Sequence, residues 1–395
     1  MNTLLEGKNI LLCVSGGIAG YKSLELVRFF KKRGAKVRVV MSKEAERFVG
    51  ALSFEALSNE VVLKEGSEIW AGNGANHISY STWADVCVIA PCTINTLCKF
   101  AYGIADNLLL STLLACSCPI LIAPSANTAM YLSPQAQEAM RKLESRGVRL
   151  ISAREDRLAC GVEGVGAMAE IEEIGYEVAR VLLTQSFWSG KEVVLSGGGS
   201  SENIDEVRCI GNHSSGLQAS YLALALYLRG ANVTLVASKT PLKLPSSIIL
   251  KNATSTQDFY TQIRQSIKEG GYYFGVGALS DFKPKVELEG KVKKTQGLEV
   301  EFVPTIDVLA SLKLPSLTKI GFKAEKDPNK ARGYARAMLK EKGCKYVCLN
   351  ILTQNNAFGS SQNSLLLLSQ DKERELPLQD KFSLSFALLE MIAND

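Results

Sequence analysis

Short apolar, β-branched runs alternate along the chain with segments whose apolar residues recur at helical spacing, and most runs end in a polar turn. Asn9–Val14 (NILLCV) runs into Ser15-Gly16-Gly17, residues 21–33 read as a helix closed by Gly34, and Lys36–Met41 is a second strand ending at Ser42. Strand, helix and strand in that order predict a β-α-β unit with a parallel pair. Residues 86–90, 120–123 and 148–152 are further strands, and residues 172–183 are the last helix of this half. Residues 108–124 approach the hydropathy of a membrane span, but Ser111, Thr112, Ser117 and Pro119 divide them into a buried helix followed by a strand.

The pattern then begins again. After a short polar connection at residues 184–190, Val193, Val194 and Leu195 enter Ser196 and three glycines, and a second polar turn at residues 212–216 opens a helix of small and apolar residues. Strands follow at 233–238, 272–279, 320–323 and 346–350, with a helix at 260–269. The expected architecture is therefore α/β: two Rossmann-like three-layer domains with mostly parallel sheets, residues 1–185 and 190–395. In such sheets ligands collect beyond the carboxyl ends of strands, and turns with unpaired N–H groups attract anions. Ser15, Gly16, Gly17, Ser42, Thr93, Asn95 and Asn127 fall at such ends. Asn95, Asp106 and Asn212 also suit helix N-caps.

With 395 residues, 46% of them apolar and 22% charged, the chain is long enough for two cores. The net charge of +5 comes from nearly balanced totals, and lysines concentrate in residues 283–294 and 323–345. That distribution suits phosphorylated small molecules better than a nucleic-acid surface, which needs a longer basic stripe. The ten cysteines are scattered, without metal-ligand spacing beyond the pair Cys116 and Cys118, as in a reduced cytoplasmic protein. No basic region with a cleavage site marks a signal peptide, so a soluble protein without a membrane partner is expected.

The first half resembles the flavin-dependent cysteine decarboxylases. SGGIAGYKS near the start, His77 before STWAD, APCTINTLCKFAYGIADNLL from Ala90, PSANTAM from Pro124 and RLACGVEGVGAMAE from Arg157 carry the likeness over residues 7–180. The resemblance implies FMN, with Ser15, Gly16, Gly17, Ser42, Thr93 and Asn95 as its contacts. It also implies Cys160 as proton donor on a flap, His77 as the histidine of the oxidation and decarboxylation steps, and Asn127, with Met130 nearby, at the substrate carboxylate. The need for flavin is chemical: oxidising CH2–SH to a thioaldehyde creates the electron sink that a cysteine-derived carboxylate otherwise lacks.

The second half resembles phosphopantothenate–cysteine ligase over nearly all of residues 190–395, through IDEVRCIGNHSSG, GANVTLVASKTPLKLP, ALSDFKPK, KVKK, GFKAE, KGCKYVCLN, FGSSQN and LPLQDK. That family transfers CMP from CTP, with Mg2+, to make an acyl cytidylate that cysteine attacks. The resemblance implies Lys291 as the essential lysine, supported by Lys293, Lys294 and Lys342, and Asn212 as the residue handling the acyl cytidylate. It assigns Gly275, Val276, Gly277, Ala278, Asp281, Thr305, Ile306, Asp307, Val308 and Phe322 to nucleotide and substrate contacts.

Bacterial chains with both modules perform two successive steps of coenzyme A synthesis, and the expected assembly is a homo-oligomer, commonly a dodecamer built from decarboxylase trimers and ligase dimers. The chain departs from the family patterns at Ala126 (methionine in the family), Ala167 (arginine), Gly199-Ser200, Leu217-Gln218 (lysine-methionine), Lys323 (alanine) and Met338 (near an expected lysine). Activity of only one module, or a flavin-binding regulatory role without catalysis, are the alternatives to the bifunctional enzyme.

Overall fold

Ile10, Leu11, Leu12, Cys13 and Val14 are all fully buried, which is why the NILLCV run becomes a central strand paired on both sides. The computed structural model describes residues 3–71, 74–159, 161–293, 297–353 and 359–395. The chain divides into two units, Met1–Leu183 and Thr184–Asp395.

The first unit runs β1 (Asn9–Val14), α1 (Ser23–Lys31), β2 (Lys36–Met41), α2 (Ala51–Ser58), α3 (His77–Trp83), β3 (Val86–Cys92), α4 (Ile94–Ala101), α5 (Leu108–Ala115) and β4 (Ile120–Pro124). It continues through α6 (Thr128–Tyr131), α7 (Pro134–Glu144), β5 (Arg149–Leu150), β6 (Arg154–Arg157), β7 (Glu163–Ala167) and α8 (Ile171–Leu183). The main sheet is wholly parallel in the order β2-β1-β3-β4-β5, so its strand order reverses between β1 and β3. The antiparallel hairpin β6–β7 stands apart from it.

The second unit runs β8 (Glu192–Gly197), β9 (Ser201–Asn203), β10 (Cys209–Gly211), α9 (Leu217–Leu228), β11 (Asn232–Ala237), β12 (Ile249–Asn252), α10 (Thr256–Ser266), β13 (Tyr272–Gly275), β14 (Phe282–Pro284) and β15 (Phe302–Pro304). It ends with α11 (Val308–Ser311), β16 (Thr318–Glu325), α12 (Pro328–Glu341), β17 (Tyr346–Ile351), β18 (Gln362–Leu368), β19 (Glu373–Asp380) and α13 (Lys381–Ala393). Its sheet, β12-β11-β8-β13-β16-β17-β18-β19, is parallel through the first six strands, which stand in the doubly wound order 3-2-1-4-5-6. β18 and β19 add an antiparallel edge.

Helices cover both faces of this sheet. α9 and α13 pack on each other, whereas α10 and α11 contribute to one apolar cluster and α12 to a second that shares Met338 and Cys344 with the first. Right-handed crossovers put these two sets on opposite faces, because α9 leads from β8 one way along the sheet and α10 leads back past β8 to β13.

Several boundaries differ from those expected, for local reasons. The helix expected at 21–33 starts as a single 3-10 turn, Ile18–Lys22, before α1. α10 starts earlier than residue 260 because Ser255 and Asp258 form a capping box. The strand expected at 272–279 stops at Gly275, where Val276 N–H turns back to Phe274 O and Gly277 N–H bonds Ser196 Oγ. Neither Asn95 nor Asp106 caps a helix: Thr93 and Asn107 accept from the N–H groups of Thr96 and Leu110. Asn212 is not a cap either, since α9 begins after Gly216 with no side-chain cap.

The connection at 184–190 is not simply polar. Trp188 is fully buried, and its Nε1 donates to Leu389 O of α13 at 3.2 Å. Trp188→Ala is expected to destabilise the second unit by about 3–5 kcal/mol in equilibrium denaturation. A loss under about 1 kcal/mol would show that the indole does not anchor this unit. Among the described residues, no helix is long and apolar enough to cross a membrane.

Candidate active sites at two strand switch points

In the first unit the ends of β1, β2 and β3 lie side by side, because Val14 pairs with Met41 and Ser15 N–H bonds Pro91 O at 3.2 Å. Ser15 is buried; its hydroxyl donates to Pro91 O at 2.8 Å and accepts from Thr93 N–H at 2.9 Å, fastening one turn to the other. Gly16 is required by packing, since a Cβ there would lie 2.4 Å from Cβ of Glu44. The N–H groups of Gly16 and Gly17 have no protein acceptor among the described residues, so two donors stand open where the strand order reverses. Ser42 follows β2, Thr93 caps α4 and Asn95 is exposed on its first turn.

His77 arrives at the same edge because α3 feeds into parallel β3 and runs antiparallel to it, which brings the first residue of the helix to the carboxyl end. Its Nδ1 lies 2.8 Å from Glu68 Oε1, and that oxygen also accepts the His77 backbone N–H at 3.0 Å. Trp70 sets its ring edge-on to the imidazole, with centroids 5.5 Å apart. Burial opposes ionisation of Glu68, but the hydrogen bonds from His77 outweigh it and hold the carboxyl below its ordinary pKa. An ionised Glu68 favours the tautomer with the proton on Nδ1, which leaves Nε2 as the acceptor nitrogen of the ring. Sequence reading missed Glu68; the only signal was a carboxylate nine residues ahead of the histidine in a polar loop.

Asn127 caps α6, with its Oδ1 accepting from Ala129 N–H at 2.9 Å, and Met130 is exposed within that helix. The β6–β7 hairpin docks here: Ala126 N–H bonds Gly166 O at 2.9 Å, and Gly166, at φ 144, has no room for a Cβ, which would lie 2.3 Å from Ala126 O. Arg154 in the hairpin pairs with Asp156 and Glu170 and donates to Met168 O, so the flap has a guanidinium anchor although Ala167 supplies none. Cys160 falls between the two hairpin strands in sequence and lies outside the described residues.

In the second unit the order reverses between β8 and β13, and a cleft of about 600 Å³ opens there. One wall is the strip Gly275, Val276, Gly277 and Ala278, and Asp281 follows it. The strip is stitched to the glycine turn by Ala278 N–H to Gly198 O (2.8 Å) and Ser200 N–H to Ala278 O (3.1 Å). Thr305, Ile306, Asp307 and Val308 form the next wall, with Thr305 N–H on Asp281 O at 2.9 Å. Phe322 and Lys342 complete this side. Lys342 pairs with Asp307 at 2.8 Å; burial works against the Asp307 charge, yet the lysine holds its pKa below the ordinary value.

Asn212 does not line the cleft, but its Nδ2 donates to Ala278 O and Leu279 O at 3.3 and 3.0 Å, gripping the wall from behind. Four departures face the same space: Leu217, Gln218, Met338, where a lysine was expected nearby, and Lys323, which pairs with Glu325 at 3.0 Å. The structure does not bring Lys291 or Lys293 into the cleft, and Lys294 lies outside the described residues. The loop carrying Lys291 is held by fully buried Asp205, which accepts from Val292 N–H and pairs with Arg208.

Comparison with known proteins covers both units. Residues 1–183 match the Flavoprotein family, and residues 188–394 match the DNA/pantothenate metabolism flavoprotein C-terminal domain. The chain is 33% identical over 400 residues to the coenzyme A biosynthesis bifunctional protein CoaBC of Vibrio vulnificus, across 98% of each chain. It is 34% identical over 398 residues to that of Bacillus subtilis, across 99% of this chain and 98% of the relative. Among solved structures, a PPC decarboxylase mutant complexed with pantothenoylaminoethenethiol is 35% identical, covering 43% of this chain and 96% of its own, with a TM-score of 0.39.

Proposed function

Since the chain belongs to the family of coenzyme A biosynthesis bifunctional proteins CoaBC, we propose that it joins 4'-phosphopantothenate to cysteine at the second unit and decarboxylates the product at the first. The observation that carries this reading is the full-length match, which spans both units rather than one.

At the first unit, FMN when bound supplies the two-electron acceptor that turns the thiol-bearing carbon into an electron sink. The residues present fit its phosphate: the open N–H groups of Gly16 and Gly17, with Ser42, Thr93 and Asn95 at the neighbouring strand ends, offer hydrogen-bond donors. Asn127 orients the substrate carboxylate through its amide. His77, held by Glu68, takes up the proton released at Nε2. Cys160 returns a proton to carbon at the end. Glu68→Gln is expected to slow decarboxylation about tenfold or more, without loss of flavin and with pyrophosphate release unchanged. In the unaltered protein the Glu68–His77 contact persists at neutral pH and is lost only as pH falls through the depressed Glu68 pKa. An unaltered decarboxylation rate in the glutamine variant removes Glu68 from the mechanism.

At the second unit the switch point would take CTP, with Phe322 against the base and Lys342 and Lys323 facing the phosphates, where Mg2+ carried by the triphosphate would offset its charge. Lys291 offsets triphosphate charge as the acid's carboxylate attacks and pyrophosphate leaves. Asn212, through the strip at Ala278 and Leu279, holds the acyl cytidylate while the amine of cysteine displaces CMP. Exposed apolar side chains in the first unit, among them Leu52, Trp70, Ile18 and Tyr21, support trimer contacts, which together with dimers of the second unit give a dodecamer. The test is pyrophosphate release from CTP dependent on 4'-phosphopantothenate, together with flavin absorbance of the purified chain. Release that proceeds equally without the acid, or faster with ATP, contradicts the nucleotide assignment.

A further inference from the structure

A second cavity, of about 470 Å³, opens beside the cleft of the second unit, and the proposed steps leave it unused. Thr305 and Ile306 line both spaces, so the segment that walls the cleft also walls this cavity. Its other sides are β9, the first turn of α10, and β14 with the residues that follow it. β14 packs along β9, and further on Leu288 N–H bonds Ile204 O at 3.0 Å, which keeps the two segments side by side.

Glu202 of β9 lines the cavity and is only 5% exposed. Its Oε1 accepts from Thr256 N–H at 2.8 Å and from Thr256 Oγ1 at 2.7 Å, closing the first turn of α10. Oε2 accepts from no described group yet is not sealed from solvent, so its open side is the cavity. A largely buried carboxylate without a counter-charge is costly, and native structures pair such groups. The other charged side chains of the lining are already engaged, with one exception. Asp258 accepts from Ser255 N–H at 3.0 Å in the α10 capping box, Glu287 accepts from Asn203 Nδ2 at 3.0 Å, and Lys285 pairs with Glu301 at 2.9 Å. Lys283 of β14 is exposed and meets no carboxylate among the described residues.

The cavity therefore keeps one anionic and one cationic group in reserve, on neighbouring strands. A free α-amino acid carries the complementary pair, an ammonium and a carboxylate on one carbon, whereas a phosphomonoester brings only negative charge. The buried network also leads back toward the reaction. Thr256 Oγ1 lies 3.0 Å from Ser200 Oγ, which accepts from Ser280 N–H at 2.8 Å, and Ser200 N–H bonds Ala278 O, a carbonyl that Asn212 also grips. We propose that this cavity binds the amino-acid substrate, cysteine, with its ammonium on Glu202 Oε2 and its carboxylate on Lys283. This rests on the ligase reading of the second unit.

The test uses the full-length chain and two nucleophiles, cysteine and cysteamine, which is cysteine without its carboxylate. Lys283→Met is expected to raise KM for cysteine about three- to fivefold, as loss of an exposed ion pair implies, and to leave KM for cysteamine unchanged. Glu202→Gln is expected to raise KM for both nucleophiles about 10- to 100-fold, as loss of a charge-assisted hydrogen bond implies. Pyrophosphate release without cysteine and KM for CTP and 4'-phosphopantothenate should stay as in wild type, whereas a general loosening of the fold would move them. Lys283 is exposed, so its variant reads the cavity even if Glu202→Gln does not fold. An unchanged KM for cysteine in Lys283→Met, an equal rise with cysteamine, or a change confined to CTP or the acid overturns the proposal. If wild type releases no pyrophosphate, the ligase reading fails, and calorimetric titration of cysteine into wild type and both variants decides the cavity separately: equal affinities refute it.

Discussion

Lys291→Gln is expected to abolish pyrophosphate release from CTP, a loss of about 10²–10³-fold or more, while Asn212→Ala still releases about one equivalent and accumulates acyl cytidylate. In the proposed mechanism the two residues act on opposite sides of one intermediate. Formation of the cytidylate concentrates negative charge at the breaking phosphoanhydride, and a cation removed there is felt in the first chemical step. Asn212 instead holds the Ala278–Leu279 carbonyls, so its loss loosens the wall against which the activated acid must wait for cysteine. Pyrophosphate release without cysteine separates the two variants, and equal release by both would falsify this division. Lys291 lies outside the cleft, on a loop tied down through Asp205, so its effect also reports whether that loop meets bound phosphates.

Cys160→Ser is expected to leave flavin bound and carbon dioxide released, while reduction of the resulting enethiol falls by about 10²–10⁴-fold. A serine hydroxyl is a far weaker acid than a thiol, so only the step that needs a proton at carbon suffers. The β6–β7 hairpin, whose strands flank this position in sequence, is fixed to the Ala126–Asn127 turn through Gly166. Mass spectrometry of the product decides: an accumulating species two hydrogens short of the thiol supports the role, and fully reduced product at the normal rate removes Cys160 from it.

Both sheets were legible in the sequence because their central strands are buried on two faces and therefore read as unbroken apolar runs, as in Asn9–Val14 and Tyr346–Ile351. Where apolar residues line a cleft instead of a core, the same reading overreached: Val276, Ala278 and Leu279 look like strand but bend into the wall beside Ser196. The antiparallel edge was not foreseen, since β19 is ERELPLQD, with charges and a proline that suit an edge strand. Side-chain partnerships across long separations were out of reach. Glu68 meets His77 through a loop, and Glu202 of β9 closes the first turn of α10. Motif likeness gathered Gly275 to Ala278, Thr305 to Val308, Phe322 and Lys342 into one cleft, but it carried no sign that Glu202 and Lys283 would share a cavity beside it.

The most direct test of the account is mass spectrometry of the purified full-length chain incubated with 4'-phosphopantothenate, cysteine, CTP and Mg2+. The account predicts CMP and pyrophosphate in step with an amide product, and then a product lighter by one carbon dioxide, 4'-phosphopantetheine, with no external electron donor. An amide that forms and keeps its carboxylate, or no CTP-dependent amide at all while the flavin site is filled, contradicts it.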